Sequence, residues 1–150
     1  MPQSLVKILI HAVFSTKNRV NLITPEIENE LFGYMSGIVE NNKSKLILAN
    51  GTENHVHLLI SLGKTLAISE LIGDIKRDSS VWIKKQDSQF SKFHWQEGYG
   101  AFSVGQTQVN EVMKYIANQK EHHQEKSFEN EMRGFYRKYG IEFDEQYVWD

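Results

Sequence analysis

Two histidines one residue apart, and a tyrosine and a glutamine one helical turn apart, are the residues of this chain best suited to chemistry. His55 and His57 lie in Asn54-His55-Val56-His57-Leu58-Leu59-Ile60, which follows the turn-like Gly51-Thr52-Glu53-Asn54. An apolar run with a β-branched member right after such a turn reads as a strand. Side chains alternate faces along a strand, so both imidazoles point one way and Val56 the other. Two imidazoles on one face can grip one divalent ion, and the apolar continuation from Leu58 to Ile60 marks the strand as internal and rigid. Taken alone, the pair also fits two ordinary histidines at the wet end of a strand. Tyr115 and Gln119 stand four apart in a helical stretch and so share a face. If that helix packs beside the strand, His55, His57 and the Gln119 amide oxygen form a three-ligand site next to a phenol.

The ligand set has chemical consequences. All three ligands are neutral, so a bound Mg²⁺ or Mn²⁺ keeps its double charge for an anionic substrate and binds weakly without one. A phosphodiester supplies the missing negative oxygens, and the ion then stabilises the charge that builds up during transfer. A free tyrosine ionises near pH 10, so Tyr115 needs a nearby cation or base to attack at neutral pH. Attack by tyrosine conserves the phosphodiester as a phosphotyrosyl link, which permits rejoining without ATP. Consistently, the chain holds no Gly-x-x-x-x-Gly-Lys-Ser/Thr loop, and no nucleotide cofactor is expected.

These residues need elements to position them. Leu5 to Ser15 is rich in Val, Ile and Phe and reads as a first strand, with His11 as a core or rim residue. Thr24-Pro25-Glu26 opens a helix through Ile27, Leu31, Met35 and Ile38. Lys45 to Ala49 is a second strand, joined to the His-x-His strand as a hairpin. Leu66, Leu71, Ile72, Ile75 and Trp82 mark a second helix. Phe93 to Val104, with its aromatics and glycines, reads as a loop leading into a fourth strand, most of the aromatics filling core. Thr107 caps a third helix running to about His123, and Ser127 opens a last one ending near Tyr139. Glu142 to Asp150 is an acidic, aromatic tail that docks on the body or on a partner. This order predicts an α+β fold: a ferredoxin-like sandwich with a central antiparallel sheet and appended helices, in one domain spanning residues 1–150.

Composition sets limits. With 40% hydrophobic and 24% charged residues, the chain has the make-up of a globular domain. No apolar run approaches the roughly 20 residues of a membrane span, so no membrane association is expected. The start, Met1-Pro2-Gln3-Ser4, lacks the features of a signal peptide. The chain has no cysteine, which fits a reducing compartment and excludes thiolate chemistry; cytoplasmic residence is the expectation. A net charge of −2 means that nucleic-acid contact must come from a local strip. Its candidates are Lys17, Arg19, Lys76, Arg77, Lys84, Lys85, Arg133, Arg137 and Lys138.

Three segments together carry a family likeness. His55-Val56-His57, Gln96-Glu97-Gly98-Tyr99-Gly100-Ala101-Phe102-Ser103-Val104 and Tyr115-Ile116-Ala117-Asn118-Gln119-Lys120-Glu121-His122-His123 resemble the single-tyrosine HUH transposases of the insertion sequence 200/605 family. The closing Gly140 to Trp149 is similar too, so the likeness covers nearly the whole chain. The resemblance implies a metal-dependent nuclease and strand transferase acting on single-stranded DNA with hairpins at element ends. It implies Tyr115 as nucleophile, His55, His57 and Gln119 as metal ligands, Mg²⁺ or Mn²⁺ as cofactor, and a homodimer in which one tyrosine helix can complete the other subunit's site. His122 and His123 match the family pattern and read as polar helix-end residues favourable to the dipole.

Three other readings stay open. A domesticated relative would run the same chemistry on dispersed repeat hairpins. A ferredoxin-like nucleic-acid-binding module would bind hairpins without chemistry. A small-molecule metalloenzyme would use the histidines but leave Tyr115, Gln119 and the glycine-aromatic segment unexplained.

Overall fold

Alternation along the two central strands sets the architecture. The computed structural model describes residues 2–123 and 125–150. Strand β1 (Leu9–Ser15) pairs antiparallel with β3 (His55–Ser61) on one side and with β4 (Gly100–Val104) on the other, and β2 (Lys45–Gly51) pairs with β3. The sheet order is therefore β2-β3-β1-β4. With helix α1 (Pro25–Asn41) between β1 and β2, and α2 (Ile68–Lys84) between β3 and β4, this is the ferredoxin-like arrangement the sequence predicts.

One face of the sheet is apolar along its two central strands. Ala12, Phe14, Val56, Leu58 and Ile60 pack with Leu31 and Met35 of α1 and with Leu71, Ile72 and Ile75 of α2. Phe93 and Trp95 join this core, and the Trp95 indole N–H donates to the buried Ser79 hydroxyl at 3.0 Å, tying the loop before β4 to α2. Each fully buried side chain of this size contributes about 1.5–3 kcal/mol, so β1 and β3 are held firmly from behind.

The other face carries the chemistry. Leu9, Leu59 and Val104 pack against Ile116 of α3 (Val109–Ala117), and Val13 and Phe102 against Phe128, Met132 and Tyr136 of α5 (Phe128–Lys138). Between the two apolar patches the same face presents His11, His55 and His57, all buried. The C-terminal tail docks on the body: the Gly98 N–H donates to the Asp150 carbonyl at 2.9 Å, and the Trp149 ring lies 6.2 Å from that of Phe128.

Two boundaries differ from the sequence reading. The first strand begins at Leu9 rather than Leu5, because its partners end opposite Leu9, at Ser61 and Val104. The third helix breaks at Asn118 (φ −98°, ψ 18°), and a short turn of helix, α4 (Gln119–His122), follows. Asn50 of β2 accounts for the break, since its side-chain amide donates to the carbonyls of Ile116 (2.9 Å) and Ala117 (3.1 Å) and so closes the end of α3.

Candidate active site

The strand register places the histidines before any helix is added. His57 lies opposite Val13 and His55 opposite Ser15, while His11, opposite Leu59, sits diagonal to His57 on the same face. The His11 Nε2 and His57 Nδ1 atoms are 2.8 Å apart, a hydrogen bond that orients the His57 ring. On the far side, His55 Nδ1 donates to the Asn54 side-chain oxygen at 2.7 Å, which leaves its Nε2 lone pair pointing inward. Gly51 makes the turn into this strand possible: a Cβ there would meet the His55 carbonyl oxygen at 2.1 Å.

Helix α5 then lowers a carboxylate onto the histidines. Ser127 caps the helix, accepting from the Asn130 N–H at 3.2 Å. Its buried stripe runs Phe128, Met132, Tyr136, and Glu131 is buried on the same side. Glu131 Oε1 receives His57 Nε2 at 3.0 Å and His123 Nε2 at 2.9 Å, and His55 Nε2 lies 3.6 Å away. His55 Nε2 and His123 Nε2 are 3.1 Å apart.

Helix α3 brings the phenol. With Ile116 anchored beneath it, Tyr115 reaches in and donates its hydroxyl to Glu131 Oε2. Gln119, turned inward by the break at Asn118, donates its amide to the same Oε2 at 3.2 Å. Among the described residues, its side-chain oxygen is buried with no partner. The His122 ring stacks on Tyr115 with centroids 4.7 Å apart.

Burial decides the charges. It lowers His11 and His55 to about 3, helped by the neighbouring His57, and it lowers His57 as well. Burial alone would raise Glu131, but hydrogen bonds from His123, His57 and Tyr115 outweigh it and hold the carboxylate well below its usual range. Burial, then the Glu131 charge, push the Tyr115 phenol above its ordinary value. At neutral pH the centre thus combines the neutral imidazoles of His11, His55 and His57 with an anionic carboxylate, and donor atoms of His55, His57, His123 and Glu131 lie within 4.8 Å of one another. This donor set, with the orphaned Gln119 oxygen beside it, fits a divalent cation.

The structure therefore brings together all four residues singled out from sequence, and adds three. His123 is not merely a helix-end residue; it faces the cluster. Glu131 was missed altogether, although a signal existed: it occupies position i+3 of an otherwise apolar helical stripe, where an acid has no reason to be unless partnered. The ligand set is consequently not all neutral. His11 joins as the partner of His57.

The candidate cations are not gathered into one strip. Lys76, Arg77 and Lys84 belong to α2, and Lys85 is its C-cap, across the sheet from the histidines. The Lys76 ammonium donates to the carbonyls of Gln96, Glu97 and Gly98, and Arg77 pairs with Asp74 and Asp78. Arg133 pairs with Glu145, and Arg19 donates to the Trp149 carbonyl near Glu129. Lys17 is exposed just beyond β1, and Arg137 and Lys138 end α5. Lys138 lines a cleft beside Tyr115. Sequence reading passed over Lys120 and Lys126, which line a second cleft with Arg19 and His123.

A central antiparallel sheet presenting His-x-His, with a tyrosine helix laid across it, defines an HUH-type fold. The chain matches the family model described as "Transposase IS200 like" over residues 4–119, and it belongs to that family. No curated protein matches the chain in sequence. Among solved structures, a protein of Deinococcus radiodurans R1 assigned as a transposase, solved at 1.90 Å, is 20% identical with a TM-score of 0.61, over 79% of this chain and 98% of that one. A REP-associated tyrosine transposase bound to a REP hairpin is 12% identical with a TM-score of 0.62, over 82% of this chain and 73% of that one. The family match ends at Gln119, so it includes His55, His57 and Tyr115 but neither His123 nor Glu131. Among the described residues no helix is long and apolar enough to cross a membrane.

Proposed function

We propose that this protein cuts and rejoins single-stranded DNA at the ends of an insertion sequence, with Tyr115 as the nucleophile and a divalent ion held by His55 and His57. One observation carries the reading: the Tyr115 hydroxyl and the imidazoles of His57 and His123 meet on the two oxygens of a single buried carboxylate, Glu131. Nothing in a purely structural role calls for a phenol delivered to a ring of metal-ligating atoms.

His123 and Glu131 complete the donor set, and the unpartnered Gln119 oxygen stands ready beside them. When bound, Mg²⁺ or Mn²⁺ supplies polarisation of the phosphate and stabilises the charge that develops on it. A site rich in imidazole favours Mn²⁺ over the harder Mg²⁺.

In the cleavage step the Tyr115 oxygen forms a bond to phosphorus and the bond from phosphorus to the 3′-oxygen breaks. A 5′-phosphotyrosine and a free 3′-hydroxyl result. The phenol is held above its ordinary ionisation range, so a standing phenolate is disfavoured and its proton must leave as the new bond forms. Glu131 Oε2 already accepts that hydrogen bond and is the group placed to take the proton. Attack by another 3′-hydroxyl on the phosphotyrosine reverses the step and rejoins DNA without ATP.

Hairpin-forming single strands are the substrate in this reading, in keeping with the hairpin bound by the related tyrosine transposase. A homodimer and cytoplasmic residence belong to the same proposal. Within one chain, Tyr115 and His57 share the Glu131 carboxylate, which supports Tyr115 acting with its own subunit's histidines.

The test is incubation with labelled single strands carrying candidate hairpin ends, with Mg²⁺ or Mn²⁺, followed by denaturing electrophoresis. A covalent adduct that requires metal and vanishes in Tyr115→Phe is expected. Adduct formation by Tyr115→Phe at the wild-type rate would remove Tyr115 from the reading.

A further inference from the structure

Between α3 and α5 a cleft of about 420 Å³ opens directly beside the Tyr115 ring. Val112 and Tyr115 line it from α3, Phe135 and Tyr139 from the α5 side, the Tyr115 and Phe135 rings meeting edge to face with centroids 5.5 Å apart, and Lys126 and Lys138 line it together with Glu111 and Glu131. Gly134 leaves the α5 side open: a Cβ there would find only the Lys126 ammonium, 3.8 Å away. The size falls within the range of small-ligand pockets, and aromatic rings with cations are the usual furnishings for an unpaired base and its phosphate.

We propose that this cleft is the subsite for the nucleotide immediately 3′ of the scissile phosphate, its base held against Phe135 and Tyr139. The inference rests on Tyr115 being the nucleophile. Once the Tyr115 oxygen has bonded to phosphorus, its proton passing to Glu131, and the 3′-oxygen has left, taking a proton from water to become a hydroxyl, one nucleoside stays attached through its 5′-oxygen. That nucleoside must fit next to Tyr115, and the cleft walled by the Tyr115 ring is the space there. The departing strand goes elsewhere, because the leaving oxygen lies roughly in line with the attacking one, on the far side of phosphorus. A second cleft of about 550 Å³, at the His55 end of the cluster, is available to it. Lys126 lines both clefts, which sets a cation where the strand passes between them.

The two sides of the scissile bond therefore differ in what they demand. Upstream, the strand meets a cleft lined by Arg19, Lys120 and Lys126 together with Glu28, Glu53 and Glu129; downstream, one base is read by stacking. A base that stacks well is expected to be preferred downstream.

The full-length protein, loaded with Mn²⁺, is titrated by NMR with inorganic phosphate, deoxyribose 5-phosphate, dAMP and dTMP. The nucleotides should bind at least about tenfold more tightly than the sugar phosphate, since stacking supplies that factor. Tyr139→Ala should abolish the advantage, Tyr139→Phe should keep it, and both should bind Mn²⁺ as the wild type does. Gly134→Leu, which fills the cleft without strain in the helix, should abolish it as well. Equal affinity for sugar phosphate and nucleotide, or an advantage untouched by both Tyr139→Ala and Gly134→Leu, overturns the subsite and leaves the Tyr115 centre standing. Failure of all four probes to bind the Mn²⁺-loaded protein overturns the subsite and the phosphate-transfer reading together.

Discussion

Tyr115 and Glu131 are joined by a hydrogen bond from the phenol to Oε2, while the other oxygen of the same carboxylate receives His57 and His123. One side chain from the last helix thus couples Tyr115, the proposed nucleophile, to the histidines proposed to hold the metal. Whatever engages Oε1 changes the basicity that Tyr115 meets at Oε2.

Replacing Glu131 by Gln keeps the shape and removes the charge. Mn²⁺ affinity is expected to fall about 10- to 100-fold, as when groups supporting a metal centre are lost. Wild-type protein with Mn²⁺ at 100 times its Kd should gain about 2.7 kcal/mol in stability. Titration calorimetry and thermal unfolding read both quantities; an unchanged Mn²⁺ affinity in Glu131→Gln would dismiss the carboxylate as a ligand.

Acid should destabilise the metal-free protein. His11 and His55 titrate near 3 in the folded state against 6.5 ordinarily, so between these values the unfolded chain binds more protons. Stability is then fully present above about pH 6.5 and is lost progressively as the pH falls toward 3. His57 and Glu131, both lowered as well, act in the same direction. Denaturant melts at a series of pH values test this, and a flat stability from about pH 7 to pH 5 would contradict it.

Gly51→Ala should damage the centre from a distance. The added methyl would stand 2.1 Å from the His55 carbonyl oxygen, backbone that can yield only by shifting β3. Overpacking of this kind costs about 1–3 kcal/mol. Both a lower melting temperature and weaker Mn²⁺ binding are expected; a drop in stability alone would mean that the strand absorbs the shift without moving His55.

Charge removal near the clefts should differ from charge removal on α2. Lys126→Ala and Lys138→Ala are each expected to reduce the log-log salt slope of single-strand binding by about 0.7. Arg77→Ala, whose partners Asp74 and Asp78 lie with it across the sheet, should leave the slope unchanged. Equal effects from Arg77 and Lys126 would place DNA on the other face.

Much of this was legible in the chain itself. Alternation in His55-Val56-His57 settles that both imidazoles share a face, and the four-residue spacing of Tyr115 and Gln119 puts them on one side of a helix. The apolar run Leu58–Ile60 marks the His-x-His strand as internal, and the order of elements specifies a ferredoxin-like sheet. What local pattern could not supply was the extent of pairing: Leu5 to Ile8 read as strand, yet the ladder stops at Leu9, beyond which the Ile8 carbonyl accepts from the Leu62 N–H at 2.8 Å.

The sequence by itself determined the fold class and which face of which element carries His55, His57, Tyr115 and Gln119, because periodicity is a local property of the backbone. Only the tertiary structure decided that these faces meet, and that His11, His123 and Glu131 meet them there. Glu131 follows His57 by 74 positions, and no local rule links them. Their contact arises from packing Phe128, Met132 and Tyr136 against Val13 and Phe102, which drives the intervening carboxylate into the histidines. The same packing opens the cleft beside Tyr115, a void between two helices that belongs to neither of them alone.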